Sequence, residues 1–172
     1  MKTWATSDHH FLHNRIIEIC QRPFENVDEM NQKMIENWNN VIDDEDIVYY
    51  LGDFAIEKHN KMKAQESLAD ILNTLKGRKF LVAGNHDEMY LNLYRDFFVS
   101  IVDYHEIMVN GRRLIMCHYP IEEWRDRRKG SLHLHGHLHG GECMKIENRY
   151  DVGADTNNFE PYDLDFFLNH NL

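Results

Sequence analysis

Apolar positions return along this chain with two different periods, and the alternation between them outlines its elements. Val27, Met30, Met34, Trp38 and Val41 recur every three or four residues, the stripe of an amphipathic helix. Asn26 followed by Glu29 resembles a capping box at its start, with Asn standing for Ser or Thr. Leu68, Ile71, Leu72 and Leu75 mark a second helix, with Gly77 as its stop. Around these lie short strand-like runs at Thr3–Thr6, at residues 46–51 and at residues 79–83, while residues 89–98 read as helical. Residues 106–109, Asn110-Gly111 and residues 112–117 form a hairpin pattern, because Asn-Gly suits a type I′ turn. Residues 132–139 read as an extended strand that puts His133, His135, His137 and His139 on one side. Residues 144–152 read as a further strand and 164–168 as a final short element. Strands alternate with helices early and pair as hairpins late, which predicts an α/β domain whose sheet turns mixed or antiparallel in its second half.

Length and composition narrow the class. A chain of 172 residues has room for one domain, 1–172. Hydrophobic residues at 42 % supply a real core, which argues against intrinsic disorder. Asp plus Glu (29) outnumber Lys plus Arg (19), and the formal charge of −10 argues against an extended nucleic-acid footprint. Cys20, Cys117 and Cys143 are odd in number and scattered, so they form neither a disulfide framework nor a CxxC pair and point to a reduced, cytoplasmic setting. The N-terminus lacks the apolar stretch of a signal peptide, and no apolar run reaches the ~18 residues of a membrane span. Twelve histidines are the departure from the ordinary.

Their chemistry lies at the ends of the strand-like runs. Asp8, Asp53, Asn85, His118 and His137 each stand just past one, and ligand sites of α/β sheets gather at the carboxyl ends of strands. Asp8-His9-His10 offers carboxylate and imidazole to one cation, a set that suits Mn, Fe or Zn better than Ca. Gly52-Asp53 reads by itself as a plain turn, and Gly84-Asn85-His86-Asp87 as an Asx turn capping a helix. In a site, however, His86 could act on substrate, with Asp87 orienting its ring or raising its pKa. His118, in Cys117-His118-Tyr119-Pro120, reads alone as a satisfied buried histidine. A cysteine-phosphatase reading of Cys117 fails, because the next arginine, Arg125, stands eight residues on across Pro120 and two glutamates. Gly136-His137-Leu138-His139 places two imidazoles at i, i+2, able to serve two adjacent metals. A metallo-β-lactamase pattern is set aside, because Gly136 stands where an Asp is needed. His133 and His135 read as supporting or surface residues. Five coincidences at five strand ends favour one site over five separate turns.

Asp8-x-His10, Gly52-Asp53, Gly84-Asn85-His86-Asp87, His118 and Gly136-His137-x-His139, in that order, resemble the motifs of the calcineurin-like metallophosphoesterases, in particular their small, cap-less bacterial and phage members. The resemblance spans residues 8 to 139. It implies a two-sheet β-sandwich flanked by helices in four layers, with a dinuclear site at one end. It further implies that Asp8, His10 and His139 hold one metal, that Asn85, His118 and His137 hold another, that Asp53 bridges them, and that His86 serves the departing oxygen. Ile56 stands where purple acid phosphatases carry Tyr, which sets that branch aside. At 172 residues there is no room for calcineurin's extensions or regulatory partner. The cofactors expected are two divalent ions, Mn first, with Fe, Zn, Co or Ni as alternatives. Two cations ~3.5–4 Å apart clamp a phosphoryl group and generate a bridging hydroxide for in-line attack. Four positive charges against those of Asp8 and Asp53 leave a locally cationic site that draws phosphate into an acidic protein. Arg125, Arg127 and Arg128 lie in a loop that could bind substrate phosphate bidentately or could be solvated. The expected substrate is a small phosphodiester or nucleotide, with a phosphomonoester as runner-up. A non-catalytic metal-binding scaffold is the rival, but it predicts a lost ligand or a replaced His86, and neither is seen.

Overall fold

A computed structural model of the chain describes residues 1–57 and 61–169. Its first sheet is built from β1 (Thr3–Thr6), β2 (Ile47–Tyr50), β3 (Arg78–Val82), β4 (Ser100–Val102) and β9 (Tyr162–Asp163), in the order β4-β3-β2-β1-β9. All of its pairings are parallel except that of β9 with β1. The second sheet has the order β5-β6-β7-β8, from β5 (Tyr104–Val109), β6 (Arg112–Cys117), β7 (Leu132–His135) and β8 (Arg149–Asp151). There β5 and β6 form the expected hairpin, and β6, β7 and β8 run parallel.

Side-chain alternation decides what each face meets. Trp4, Val48, Tyr50 and Leu81 point from the first sheet into a core completed by two helices, α2 (Val27–Val41) and α3 (Lys61–Thr74). Met30, Met34 and Trp38 of α2 and Leu68, Ile71 and Leu72 of α3 supply the helical side, as their periodicity predicts. Ala5, Tyr49, Leu51 and Val82 point the other way, onto Leu114, Met116, Leu132 and Leu134 of the second sheet. The result is the expected two-sheet sandwich with flanking helices. On the outer face of the second sheet Ile115, His133 and His135 are buried, and Trp124, from the 119–131 loop, lies 5.3 Å ring to ring from His133.

Local signals hold where they are local. The Asn26 side chain accepts from the Glu29 N–H at 2.9 Å and caps α2. The Glu29 carboxylate reaches back to the Glu25 N–H at 2.7 Å, one residue beyond a regular capping box. Three expectations need correction. Residues 89–98 give only a 3-10 turn at Glu88–Tyr90 and the one-turn α4 (Leu91–Tyr94). Residues 144–152 are strand only over β8. The histidine run is strand only to His135, so its four imidazoles do not share one face. Two short helices, α1 (Asn14–Ile19) and α5 (Leu164–Asn169), complete the chain, α1 having no sequence expectation behind it. Among the described residues no helix is long and apolar enough to cross a membrane.

Candidate metal centre

Because β1, β2 and β3 are parallel, as are β6 and β7, the turns after them emerge at common edges. Hydrogen bonds tie the turns together along each edge, and one of them, from His137 to Asp8, joins the two sheets. The Asp8 N–H donates to Gly52 O at 3.0 Å, the Gly136 N–H to His118 O at 3.0 Å, and the His137 N–H to Asp8 Oδ2 at 2.9 Å. Asp8, Asp53, Asn85, His118 and His137 are thereby brought together with His10 and His139.

Two donor groups result. Asp8, His10 and His139 form one; Asp53, His118 and His137 form the other; donor atoms in each lie within 4.8 Å of one another. Asn85 joins the second group, its Oδ1 being 3.1 Å from His118 Nε2. Asp53 Oδ2 stands between the groups, 3.7 Å from His10 Nε2 and 3.5 Å from His118 Nε2. These distances exceed those of good hydrogen bonds. They suit two donors on one ion, which at about 2.0–2.2 Å each stand about 3–4 Å apart.

The donor chemistry fits divalent cations. Asp8 Oδ1 and both ring nitrogens of His10 are buried, and among the described residues they have no hydrogen-bond partner. Such atoms are costly to leave bare. The other Asp8 oxygen accepts from Ser7 Oγ at 2.6 Å, which aims the bare one at His10 and His139, 4.0 Å from each Nε2. Burial pushes the Asp8 carboxyl up to about 7, against the pull of His139 and His118, and the His10 imidazole down to about 2, against that of Asp53. At His118, Nδ1 donates to Leu51 O at 2.7 Å, so Nε2 faces two acceptors, Asn85 Oδ1 and Asp53 Oδ2. A proton or a cation must lie there. Burial lowers the His118 pKa, but the neighbouring Asp53 carboxylate outweighs it and raises it to about 9; burial raises that of Asp53, and His118 pulls it back down to about 2.

Backbone strain concentrates here. Asp8 (φ 58°), His10 (53°), Asp53 (57°), His137 (72°) and His139 (52°) all sit in the left-handed region that non-glycine residues avoid. Two glycines allow the close approach. A Cβ on Gly84 would lie 2.3 Å from Asp53 Oδ1, and one on Gly136 would lie 2.3 Å from Asp8 Oδ2.

His86 stands at the rim. Its side chain is 37 % exposed and its Nε2 is 3.9 Å from Asp53 Oδ2, while its backbone N–H donates to Asp53 Oδ1 at 2.9 Å. It borders a cleft of ≈ 380 Å³ lined by Ile56, Asn85, Glu88 and Met89. The Tyr119 ring reaches the same rim, with ring centroids 5.0 Å from His118 and 4.9 Å from His137.

Three sequence expectations are corrected. Asp87 does not orient the His86 ring. It is buried, and its two oxygens accept from the Asp53, Phe54 and Gly84 amides. Of the two readings of His133 and His135 the surface one is excluded: both are buried, and they bond the main chain at Ile115, Ile121 and Gly136. Among the described residues, no contact links the arginines of the 125–129 run to the centre. Arg125 and Arg127 pair with Glu106 and Glu123, and Arg128 is exposed. The run ends at Gly130, whose carbonyl accepts from Arg112 Nε at 2.7 Å, at the start of β6. His118 stands past the far end of that six-residue strand, about 20 Å away. Sequence reasoning in turn passed over Arg22 and Asp155. Asp155 Oδ2 accepts from His139 Nδ1 at 2.8 Å, and Arg22 pairs with the same carboxylate. Neither lies in a motif, and no local signal marks them.

The chain is similar to several known proteins. The sequence model of the calcineurin-like phosphoesterase family matches residues 1–171. An uncharacterized protein of Methanocaldococcus jannaschii is 34 % identical over 97 % of this chain and 89 % of its own length. The gene 66 protein of Mycobacterium phage D29 is 29 % identical over 89 % of this chain and 87 % of its own. Among solved structures, a protein of unknown function from Aquifex aeolicus superposes with a TM-score of 0.78 at 26 % identity, covering 98 % of both chains.

Proposed function

Since the chain belongs to the calcineurin-like phosphoesterase family, and is thus a metal-dependent phosphoric ester hydrolase, we propose that it cleaves a small phosphodiester or nucleotide at a centre of two divalent ions. The observation that carries this reading is the position of Asp53, whose Oδ2 lies within 3.7 Å of an imidazole nitrogen from each donor group. Asp8, His10 and His139 hold one ion; Asn85, His118 and His137 hold the other; Asp53 is shared. Mn²⁺ leads for a mixed Asp, His and Asn set. When bound, the ions supply positive charge to the phosphoryl oxygens and acidify the attacking water.

The chain's own groups do the rest. Leu51 O accepts a hydrogen bond from His118 Nδ1–H and Asp155 accepts one from His139 Nδ1–H, so each imidazole presents Nε2 inward. The His86 amide and Asp87 hold Asp53 in place from two sides. Water, having given one proton to solvent, attacks phosphorus opposite the leaving oxygen. As that P–O bond breaks, the half-exposed His86 ring gives the departing oxygen its proton. An open rim and a net charge of −10 favour small substrates over nucleic acid. Three free cysteines suit a reducing cytoplasm.

The test is hydrolysis of bis-p-nitrophenyl phosphate and p-nitrophenyl phosphate by stripped protein titrated with Mn²⁺. Diester turnover that needs the metal and falls about 10²-fold or more in His86→Ala, with both ions kept, supports the reading. Turnover of the monoester alone assigns a monoesterase. Two bound ions with no turnover of either ester favour the binding scaffold.

A further inference from the structure

Arg22 is a buried cation whose five N–H groups all have partners. Nε donates to Asp155 Oδ1 at 2.8 Å, and Nη2 to Asp155 Oδ2 at 2.7 Å and to Asp8 O at 2.7 Å. Nη1 donates to His9 O at 2.7 Å and meets Met30 Sδ at 3.5 Å. Its side chain is 0 % exposed, and burying a guanidinium is costly unless every donor is met and the charge is matched. Its oxygen partners all belong to one region. Two are the carbonyls of Asp8 and His9, inside the turn whose Asp8 and His10 have left-handed backbone. The third is Asp155, whose Oδ2 also takes His139 Nδ1. Asp8, His10 and His139 are the three members of the first donor group. Among the described residues, the hydrogen bonds of the Arg22 and Asp155 side chains stay on this side of the centre and do not extend to Asn85, His118 or His137.

Cys20, His139 and Asp155 also cluster closely enough to hold a metal. With Arg22 on both Asp155 oxygens, a cation there would face a guanidinium across the carboxylate, so that group is not a third site.

We infer that Arg22 and Asp155 are positioning residues that pre-set the first cation group and leave the second to other supports. The inference rests on the dinuclear reading. Arg22 holds the strained Asp8–His10 turn by its carbonyls. Asp155 holds the tautomer and direction of His139. One ion pair across the chain therefore sets three ligands of one ion, and substitutions in it separate the two ions in affinity.

Calorimetric titration of stripped wild type, Asp155→Asn, Asp155→Ala and Arg22→Lys with Mn²⁺ tests this, beside thermal melts of the metal-free proteins. The wild type should bind two ions. Asp155→Asn, which keeps an oxygen for His139 but loses the charge, should weaken one ion and spare the other. Asp155→Ala should weaken the same ion further, by about 10–100-fold. Unchanged affinities in folded variants, or equal loss of both ions, would overturn the inference while leaving the dinuclear centre standing. A single ion on the wild type would sink the dinuclear reading and the inference together.

Discussion

The Asp53 N–H donates to the Asp87 carboxylate at 2.9 Å, so one aspartate that faces the centre is held by another that does not. Asp87 also takes the N–H groups of Phe54 at 3.0 Å and Gly84 at 2.8 Å. It clamps the turn after β2 to the turn after β3. Burial pushes its pKa up to about 6, with the three amides holding it back. Asp87→Ala leaves three backbone donors unpaired, two of them buried, and should cost roughly 3 kcal/mol. Urea unfolding should show that loss together with weakened metal binding. Wild-type stability with a lowered kcat alone would instead make Asp87 a participant in the chemistry.

Asp53 stands between the two donor groups, so Asp53→Ala should release both ions on dialysis. Metal analysis of the dialysed variant checks this. Retention of two tightly held ions would show that the groups do not depend on a shared carboxylate.

Gly136→Ala places a methyl group 2.3 Å from both Asp8 Oδ2 and Ser7 Oγ. The Asp8 side chain is fully buried and must turn away. Mn²⁺ affinity of the first site should fall by about tenfold or more. An unaltered titration would mean that the turn relaxes without moving Asp8.

His133 gives stability a pH dependence. Burial holds its imidazole at about 4 against an ordinary 6.5, and its Nε2 accepts from the Ile121 N–H at 3.2 Å. The unfolded chain takes up this proton near pH 6.5 and the folded chain only near 4. Its contribution is therefore full above pH 6.5 and is lost as pH falls toward 4, in total roughly 3 kcal/mol. His133→Leu should be less stable at pH 7.5, yet lose stability less steeply between pH 6.5 and 4.5. Parallel slopes in urea denaturation would show that His133 does not set this dependence.

Arg127→Ala and Arg128→Ala should leave KM unchanged within about twofold, because their loop turns back to the start of β6 and exposed ion pairs contribute little. A rise of tenfold in either variant would bring that loop back to the substrate.

Placement of the centre was legible because it depends on local pattern. A strand shows itself through a few neighbouring side chains, and the residues just past its end are then identified directly. Asp8, Asp53, Asn85, His118 and His137 could thus be set at strand ends, and the structure brings those ends together. The histidine run shows where such reading fails. Its alternation continues to His139, but the strand stops at His135, and His137 and His139 take left-handed backbone. That conformation is unfavourable on local grounds. Bonds to Asp8 and Asp155 hold it, and both come from elsewhere in the chain.

The residue types, their order and the strands that carry them therefore came from the chain's own pattern, as did the two helices that close the first core. Packing alone decided that Arg22 meets Asp155 across 133 positions, that Asp87 faces backbone amides rather than His86, and that Arg125 and Arg127 pair with Glu106 and Glu123. Periodicity and turn chemistry act over a handful of residues. Which nitrogen of an imidazole faces inward depends on partners that become neighbours only when both sheets and their connecting turns are in place.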